Sequence, residues 1–339
     1  MDLANKQVMV TGGAGFIGSA LVRELLKQRA NVIVYDNFLS GDITNLAEVK
    51  DAIKIIKRDI LDPGFKQVLQ DNGVEYLFNL AAEPYIPHCY YRPDKFFEVN
   101  ANGALNVLLA CRDVKVKRMI QYSTSEVYGS ARVTPMNEEH PTFPLSTYAV
   151  SKLAADRLCF TLHHEQQIPV TILRQFNVFG PRETQPYIIP EIITQLDKSN
   201  QVKLGNILAR RDLTYVEDAV RASVALMQCE QAKGEVINLG TGVDHSVEEM
   251  AQVIGELLGH QKIDIVIDKP RLRPLDVDRL VCDSSKLEQL IGWKPQSDLR
   301  RGLESTIKHF REIGNKWIWE TKIAEEENVW TEDTENVFQ

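Results

Sequence analysis

The sequence predicts an α/β protein, a doubly wound parallel sheet with a smaller C-terminal α/β lobe, and three observations carry that expectation. Short apolar runs alternate with helically spaced segments through the first half of the chain. A glycine-rich stretch joins the first run to the first helix. After Leu173 the alternation breaks into a loop-rich region marked by Gly180-Pro181, Pro186 and Pro190. The runs at 8–10, 32–35, 53–56, 76–80, 119–122 and 170–173 read as strands. Strands covered on both faces are near-continuously apolar, as these runs largely are. Helical periodicity marks 16–28, 64–72, 94–112 and 146–166. Repeated strand–helix units imply parallel strands joined by right-handed crossovers. Ser146 suits an N-cap, which places Tyr148 in the first turn of its helix and Lys152 in the second. Further on, a helix is expected at 191–198, another at 217–230, and a strand at 235–239 that returns to the sheet. A helix from Ser246, a strand at 263–267 and a helix near 299–314 complete the series. No internal repeat or low-complexity segment stands out.

With 339 residues, 44% hydrophobic and 25% charged, the chain can bury a large core. Its net charge of -8 gives no basic footprint, so neither nucleic acid nor an anionic membrane is an expected partner. Seven acids and one lysine fall between Glu320 and the C-terminus, so most of that charge is local. Residues 316–339 read as a solvated acidic tail, with a partner-binding segment using Trp330 and Phe338 as the alternative. Cys89, Cys111, Cys159, Cys229 and Cys282 are odd in number and form no C-x-x-C, the usage of reduced thiols in a cytoplasmic protein. The histidines lack metal-ligand spacing, and no metal is expected. No signal peptide or bilayer-length apolar run is legible, so a soluble, non-membrane protein is expected.

The run at 8–10 leads into Thr11-Gly12-Gly13-Ala14-Gly15-Phe16-Ile17-Gly18. Gly12 permits a tight turn, Gly15 lets backbone approach a pyrophosphate, and Gly18 allows close packing of the helix. The helix N-terminus, with Phe16 and Ile17, then faces the phosphates. Asp36 ends the next strand eighteen residues after Gly18, with Asn37 beside it. Its carboxylate can accept from ribose hydroxyls and would repel a 2′-phosphate, and no Arg or Lys follows before Gly41. The pattern predicts a Rossmann-like domain that binds NAD rather than NADP. Asp59 and Ile60, at the end of the third strand, fall where the adenine would lie.

Ser123-Thr124-Ser125-Glu126-Val127-Tyr128-Gly129 is followed by Tyr148 and Lys152, one helical turn apart and on one face. A phenol beside an ammonium suits proton removal coupled to hydride transfer, the ammonium depressing the phenol pKa. Thr124 can hold the same hydroxyl, and Glu126 adds a second base.

Together these residues resemble the extended short-chain dehydrogenase/reductase family, specifically its NAD-dependent nucleotide-sugar enzymes. The resemblance continues through Leu80-Ala81-Ala82, Asn100 with Gly103 and Asn106, Arg174-x-Phe176-Asn177-Val178-x-Gly180-Pro181, Arg211-Asp212, Arg273-Pro274 and Gly292-Trp293-x-Pro295. Ala104 departs from it, since relatives more often carry threonine there. The resemblance implies cofactor contacts from Leu80, Ala81, Ala82, Asn100, Tyr148 and Lys152, and diphosphate or nucleotide contacts from Asn177, Arg211 and Arg273. Guanidinium groups also suit a diphosphate physically. It further implies an NAD-binding domain over 1–175, completed by about 213–240, and a nucleotide-sugar lobe over 176–212 and 241–315. A homodimer through helices near 94–112 and 148–165 is implied as well.

Oxidation at C4 of a sugar acidifies the C5–H. An epimerase needs only to return the hydride, and relatives of that type carry small residues where Glu126 stands. A 4,6-dehydratase needs a base for C5–H and an acid for the departing C6 hydroxyl. Thr124-Ser125-Glu126 resembles the triplet of GDP-mannose-type and UDP-amino-sugar 4,6-dehydratases, and these three with Tyr148 and Lys152 are the expected catalytic set. The same triplet occurs in UDP-glucuronate decarboxylases. The expected activity is 4,6-dehydration of a UDP- or GDP-hexose. Decarboxylation, 4-epimerisation and a non-catalytic NAD-sensing module are the alternatives.

Overall fold

The computed structural model describes residues 2–273 and 275–319. Its main sheet uses β1 (Gln7–Thr11), β2 (Asn31–Asp36), β3 (Ile53–Lys57), β4 (Tyr76–Asn79), β5 (Arg118–Thr124) and β6 (Val170–Gln175). The short β7 (Asn177–Phe179), β8 (Gln201–Leu204) and β9 (Arg210–Tyr215) lie outside it, and β10 (Val236–Leu239) returns to its edge. Strand order is β10-β6-β5-β4-β1-β2-β3, every pairing parallel. The chain therefore winds one way from β1 and the other way from β4. The crevice beyond the carboxyl ends of β1 and β4 is where such a sheet receives a ligand.

The period of two divides the core between the two faces of the sheet. Val8, Val10, Phe78, Ile120 and Leu173 are buried on one face, with residues of helices Phe16–Lys27 and Val216–Gln228. Met9, Ile33, Leu77, Met119 and Ile172 are buried on the other, with helices Phe65–Asp71, Ala104–Val114 and Thr147–Gln166. The sequence-predicted strands and their crossover helices thus form the expected doubly wound sheet.

The smaller lobe is built on β9, flanked by β7, β11 (Asp244–Ser246) and β13 (Arg279–Leu280), while β8 pairs with β12 (Asp264–Ile267). Four differences from the sequence reading stand out. A 3-10 helix spans Ile43–Ala52. The helix expected at 94–112 is interrupted by a π turn over Glu98–Gly103. The helix expected from residue 191 begins at Ile188. Trp317 is buried and stacks on Phe310 and Trp319, so the acidic tail read as solvated from residue 316 is packed over residues 317–319. The remainder of the acidic tail, with Trp330 and Phe338, lies outside the described residues.

Among the described residues no helix is long and apolar enough to cross a membrane, and no cluster of His, Cys, Asp and Glu could hold a metal ion. The five cysteines are unpaired.

Candidate active site

A cavity of about 660 Å³ opens at the carboxyl ends of the main-sheet strands. Its wall runs from the glycine loop and Asp36 to Arg211 and Arg273 of the smaller lobe, and includes Thr124, Glu126, Tyr148 and Lys152.

The glycine loop is fixed by its own backbone. Gly12 has φ +68°, a left-handed conformation that a side chain would strain. A Cβ there would also lie 2.9 Å from the Ala81 nitrogen. At Gly18 a Cβ would collide with the Gly12 carbonyl oxygen. Gly15 caps helix Phe16–Lys27 without any side-chain cap, so first-turn N–H groups are available to an anion. Gly18 thus serves close packing of the helix on the loop.

Asp36, at the end of β2, is 5% exposed. One carboxylate oxygen accepts from Ala14 N–H at 2.9 Å and the other from Phe38 N–H at 2.8 Å. The carboxylate is thereby aimed into the cavity wall beside the loop. Asn37 donates to Asp59 at 2.7 Å, and Asp59 accepts from Leu61 N–H at 2.9 Å. Asp59 and Ile60 therefore line the same end of the cavity. Bare helix N-terminus, close-packed glycines and a fixed carboxylate fit the pyrophosphate and adenosine ribose of NAD.

Thr124 ends β5 and caps a 3-10 turn, Ser125–Tyr128, by accepting from Glu126 N–H at 3.2 Å. This turn puts Thr124 and Glu126 on the cavity wall, both buried. Ser125 is a correction to the catalytic set: it is 2% exposed and does not line the cavity.

Across from the turn, helix Thr147–Gln166 starts at Ser146, whose hydroxyl accepts from Ala149 N–H at 3.1 Å. Tyr148 and Lys152 follow on one face. The Lys152 ammonium donates to the Tyr122 carbonyl at 2.6 Å, and burial pulls its pKa down to about 8. Burial also raises the Tyr148 phenol well above its ordinary value, opposed by a hydrogen bond with Thr124 and reinforced by the Glu126 charge. The Lys152 ammonium and the positive ring of bound nicotinamide would act against that desolvation.

Asn100 is the second correction. It is 2% exposed, does not line the cavity, and spends its amide on the protein. Its Nδ2 donates to the Glu83 carbonyl at 3.1 Å and Ser151 Oγ at 3.0 Å, while Oδ1 accepts from Glu83 N–H at 2.8 Å. From the π turn it ties the loop after β4 to the Tyr148 helix, and so positions Leu80, Ala81 and Ala82, which do line the cavity.

On the lobe side Arg211 lies on β9, buried, with Asp276 at 3.5 Å. Arg273 approaches the same carboxylate at 3.9 Å. The Asn177 Oδ1 and the Tyr90 hydroxyl are buried without partners among the described residues. Two guanidinium groups around one acid leave a local positive excess suited to a diphosphate.

Several site residues carried no signal in the sequence. Asp156 is fully buried and receives Arg174 Nε at 2.9 Å, Arg174 Nη2 at 3.1 Å and Ser123 Oγ at 2.9 Å. This ion pair braces the end of β5 next to Thr124. Tyr85, Tyr187 and Glu183 also line the cavity. Glu183 and Tyr187 fall in or beside residues 181–185 and 189–193, stretches whose resemblance to UDP-amino-sugar 4,6-dehydratases is legible in the sequence.

The glycine loop, the Tyr148–Lys152 pair and the basic lobe together define an extended short-chain dehydrogenase/reductase of the nucleotide-sugar-modifying kind. The chain belongs to the GDP-mannose 4,6 dehydratase family, whose model matches residues 9–306. It is 34% identical over 323 residues to a UDP-N-acetyl-alpha-D-glucosaminuronate decarboxylase of Bacillus cytotoxicus, covering 91% of this chain and 99% of the relative. Among solved structures, an epimerase of Methanothermobacter thermautotrophicus superposes with a TM-score of 0.86 at 35% identity, covering 94% of each chain. A dTDP-glucose 4,6-dehydratase of Bacillus anthracis, solved in complex with NAD, gives a TM-score of 0.84 at 28% identity, covering 92% of this chain and 98% of the other.

Proposed function

We propose that this chain is an NAD-dependent 4,6-dehydratase acting on a UDP- or GDP-hexose. The observation that carries the reading is Glu126, a buried carboxyl on the same cavity wall as Thr124, Tyr148 and Lys152. Epimerisation at C4 requires only hydride removal and return, whereas dehydration needs a base at the C5–H. Decarboxylases carry the same Thr-Ser-Glu triplet, and against them the reading leans on the stretches 86–90 and 181–193, which resemble those of UDP-amino-sugar 4,6-dehydratases.

NAD, when bound, accepts the hydride from C4 and later returns it to C6. Tyr148 takes the C4 hydroxyl proton, with Thr124 holding the same oxygen. Glu126 removes the acidified C5 proton and gives it to the C6 hydroxyl, which leaves as water. A solvent-exchanged proton then returns to C5. The Lys152 ammonium, anchored on the Tyr122 carbonyl, places positive charge one helical turn from the phenol. Arg211, Arg273 and Asn177 hold the diphosphate. Gly12, Gly15, Phe16, Ile17, Gly18, Asp36, Asn37, Asp59, Ile60 and the 80–82 loop hold the dinucleotide.

UDP-glucuronate-type decarboxylation is the second reading, favoured by the 34% identity to the Bacillus cytotoxicus decarboxylase. A cytoplasmic homodimer completes the proposal. Unpaired cysteines support a reducing compartment. Phe97 and Val150, both more than 40% exposed on the two helices of the expected interface, support pairing. Glu126→Gln in deuterated water is the test of the dehydratase reading. The variant should still reduce bound NAD on adding substrate, yet exchange no deuterium into C5 and release no dehydrated sugar. Wild-type dehydration by this variant would remove Glu126 from the chemistry.

A further inference from the structure

We infer that Glu183 is a specificity-determining residue whose carboxyl group donates a hydrogen bond to an uncharged oxygen of the bound sugar. The inference rests on the nucleotide-sugar reading above and adds a residue outside the Thr124–Lys152 machinery. Glu183 lies on the loop leaving β7, is 2% exposed, and still lines the cavity. Gly180 N–H donates to its Oε1 at 3.2 Å. Among the described residues no guanidinium or ammonium pairs with it. The adjacent Arg182 turns outward to Glu48 at 3.1 Å.

The phenol beside this carboxyl is Tyr187, at the N-cap of helix Ile188–Lys198, and Tyr85 packs edge-on against Tyr187 with ring centroids 5.8 Å apart. Burial raises the pKa of the Tyr187 and Tyr85 phenols, so both stay neutral. Burial likewise drives Glu183 well above the ordinary carboxyl range. Ionising it would leave a desolvated charge without a counter-ion, so it keeps its proton. A protonated carboxyl has one O–H to give. With Oε1 engaged as an acceptor, the other oxygen carries that donor. Its natural partner is a hydroxyl, carbonyl or acetamido oxygen. A carboxylate substituent would instead set a second acid against a desolvated carboxyl that, among the described residues, has no guanidinium or ammonium paired with it. The site therefore selects a neutral hexose over the matching uronate.

The test is calorimetry on the NAD-loaded full-length protein. UDP, GDP and dTDP are compared first, and the tightest binder sets the reference for its glucose, N-acetylglucosamine and glucuronate conjugates. In Glu183→Leu the gain in affinity of the neutral hexose conjugate over the free nucleotide should fall by on the order of tenfold, with nucleotide binding unchanged. Glu183→Gln keeps an N–H donor of similar length and should recover that gain to within about threefold. Preference for the neutral sugar over the uronate should narrow in the Leu variant. An unchanged ratio in Leu, or a Gln variant as poor as Leu, overturns the inference. Infrared difference spectra between wild type and Glu183→Gln give a second readout that needs no substrate. A protonated-carboxyl band at neutral pH supports the inference, and an ionised-carboxylate band alone overturns it. Absence of dehydrated product from the wild type defeats the dehydratase reading instead, leaving the binding ratios to judge Glu183.

Discussion

Lys152→Met tests the electrostatics of the site without touching its shape. The ammonium is 4% exposed, and its pKa falls from an ordinary 10.5 to about 8 because burial disfavours the charge. That drop corresponds to a cost of about 3 kcal/mol for the folded ammonium at pH 7. Methionine, of similar length, removes the cost together with the bond to the Tyr122 carbonyl, and a charged donor's bond is worth about 1.5–3 kcal/mol. The two nearly cancel, so at pH 7 the variant should equal the wild type or exceed it by about 0–1.5 kcal/mol. Raising the pH reverses the comparison. The folded lysine loses its proton near 8 and the unfolded one near 10.5, so between these values the unfolded chain binds more protons. Wild-type stability therefore climbs with pH through that window, and the variant lacks the climb. At pH 9.5 the variant should be less stable by about 0.5–2 kcal/mol. Urea unfolding of both proteins freed of NAD, at pH 7 and pH 9.5, measures the difference, in which the other titrating groups cancel. Sugar oxidation should be lost in the variant at either pH. A stability difference that does not move with pH would refute a desolvated ammonium.

Tyr148→Phe should retain NAD yet show no reduction of it when a nucleotide sugar is added, read by absorbance of the reduced nicotinamide. Normal turnover would remove Tyr148 from the proton transfer. Gly18→Ala forces a Cβ onto the Gly12 carbonyl, backbone against backbone, so the loop must shift. Copurified NAD should fall to a trace and stability by about 1–3 kcal/mol, checked by cofactor extraction and thermal melting. Asp156→Ala leaves the 3% exposed Arg174 guanidinium unpaired, at a cost of about 3–5 kcal/mol seen as a lowered melting temperature. A loss below about 1 kcal/mol would show that Ser123 and the end of β5 are held by other contacts.

The legible part of the fold was the part built by repetition. Strands β1, β2, β4, β5 and β6 are buried almost throughout, so their apolar runs mark them directly. The lobe strand β9 is as buried but carries function in its polarity. β9 reads Arg-Arg-Asp-Leu-Thr-Tyr, which no hydrophobic pattern finds. Asp212 is buried there because Thr241, Gly242 and Cys282 donate to its carboxylate from other segments. The catalytic wall was legible where local spacing sets geometry, as with Thr124 and Glu126 on one turn and Tyr148 and Lys152 on one helix. Spacing could not show that Asn100 acts through Glu83 and Ser151. Nor could it show that burial raises the Tyr148 phenol. Glu183, Tyr187 and Tyr85 meet only in the folded chain, where desolvation, a tertiary property, gives them their chemistry.

The most direct measurement is a product analysis of the wild type, incubated in deuterated water with UDP-, GDP-, CDP- and dTDP-hexoses and with UDP-glucuronate, and followed by NMR. The account predicts a 6-deoxy-4-keto sugar carrying deuterium at C5, with NAD regenerated in each cycle. A pentose formed from the uronate, or a C4 epimer without deuterium at C5, would contradict it.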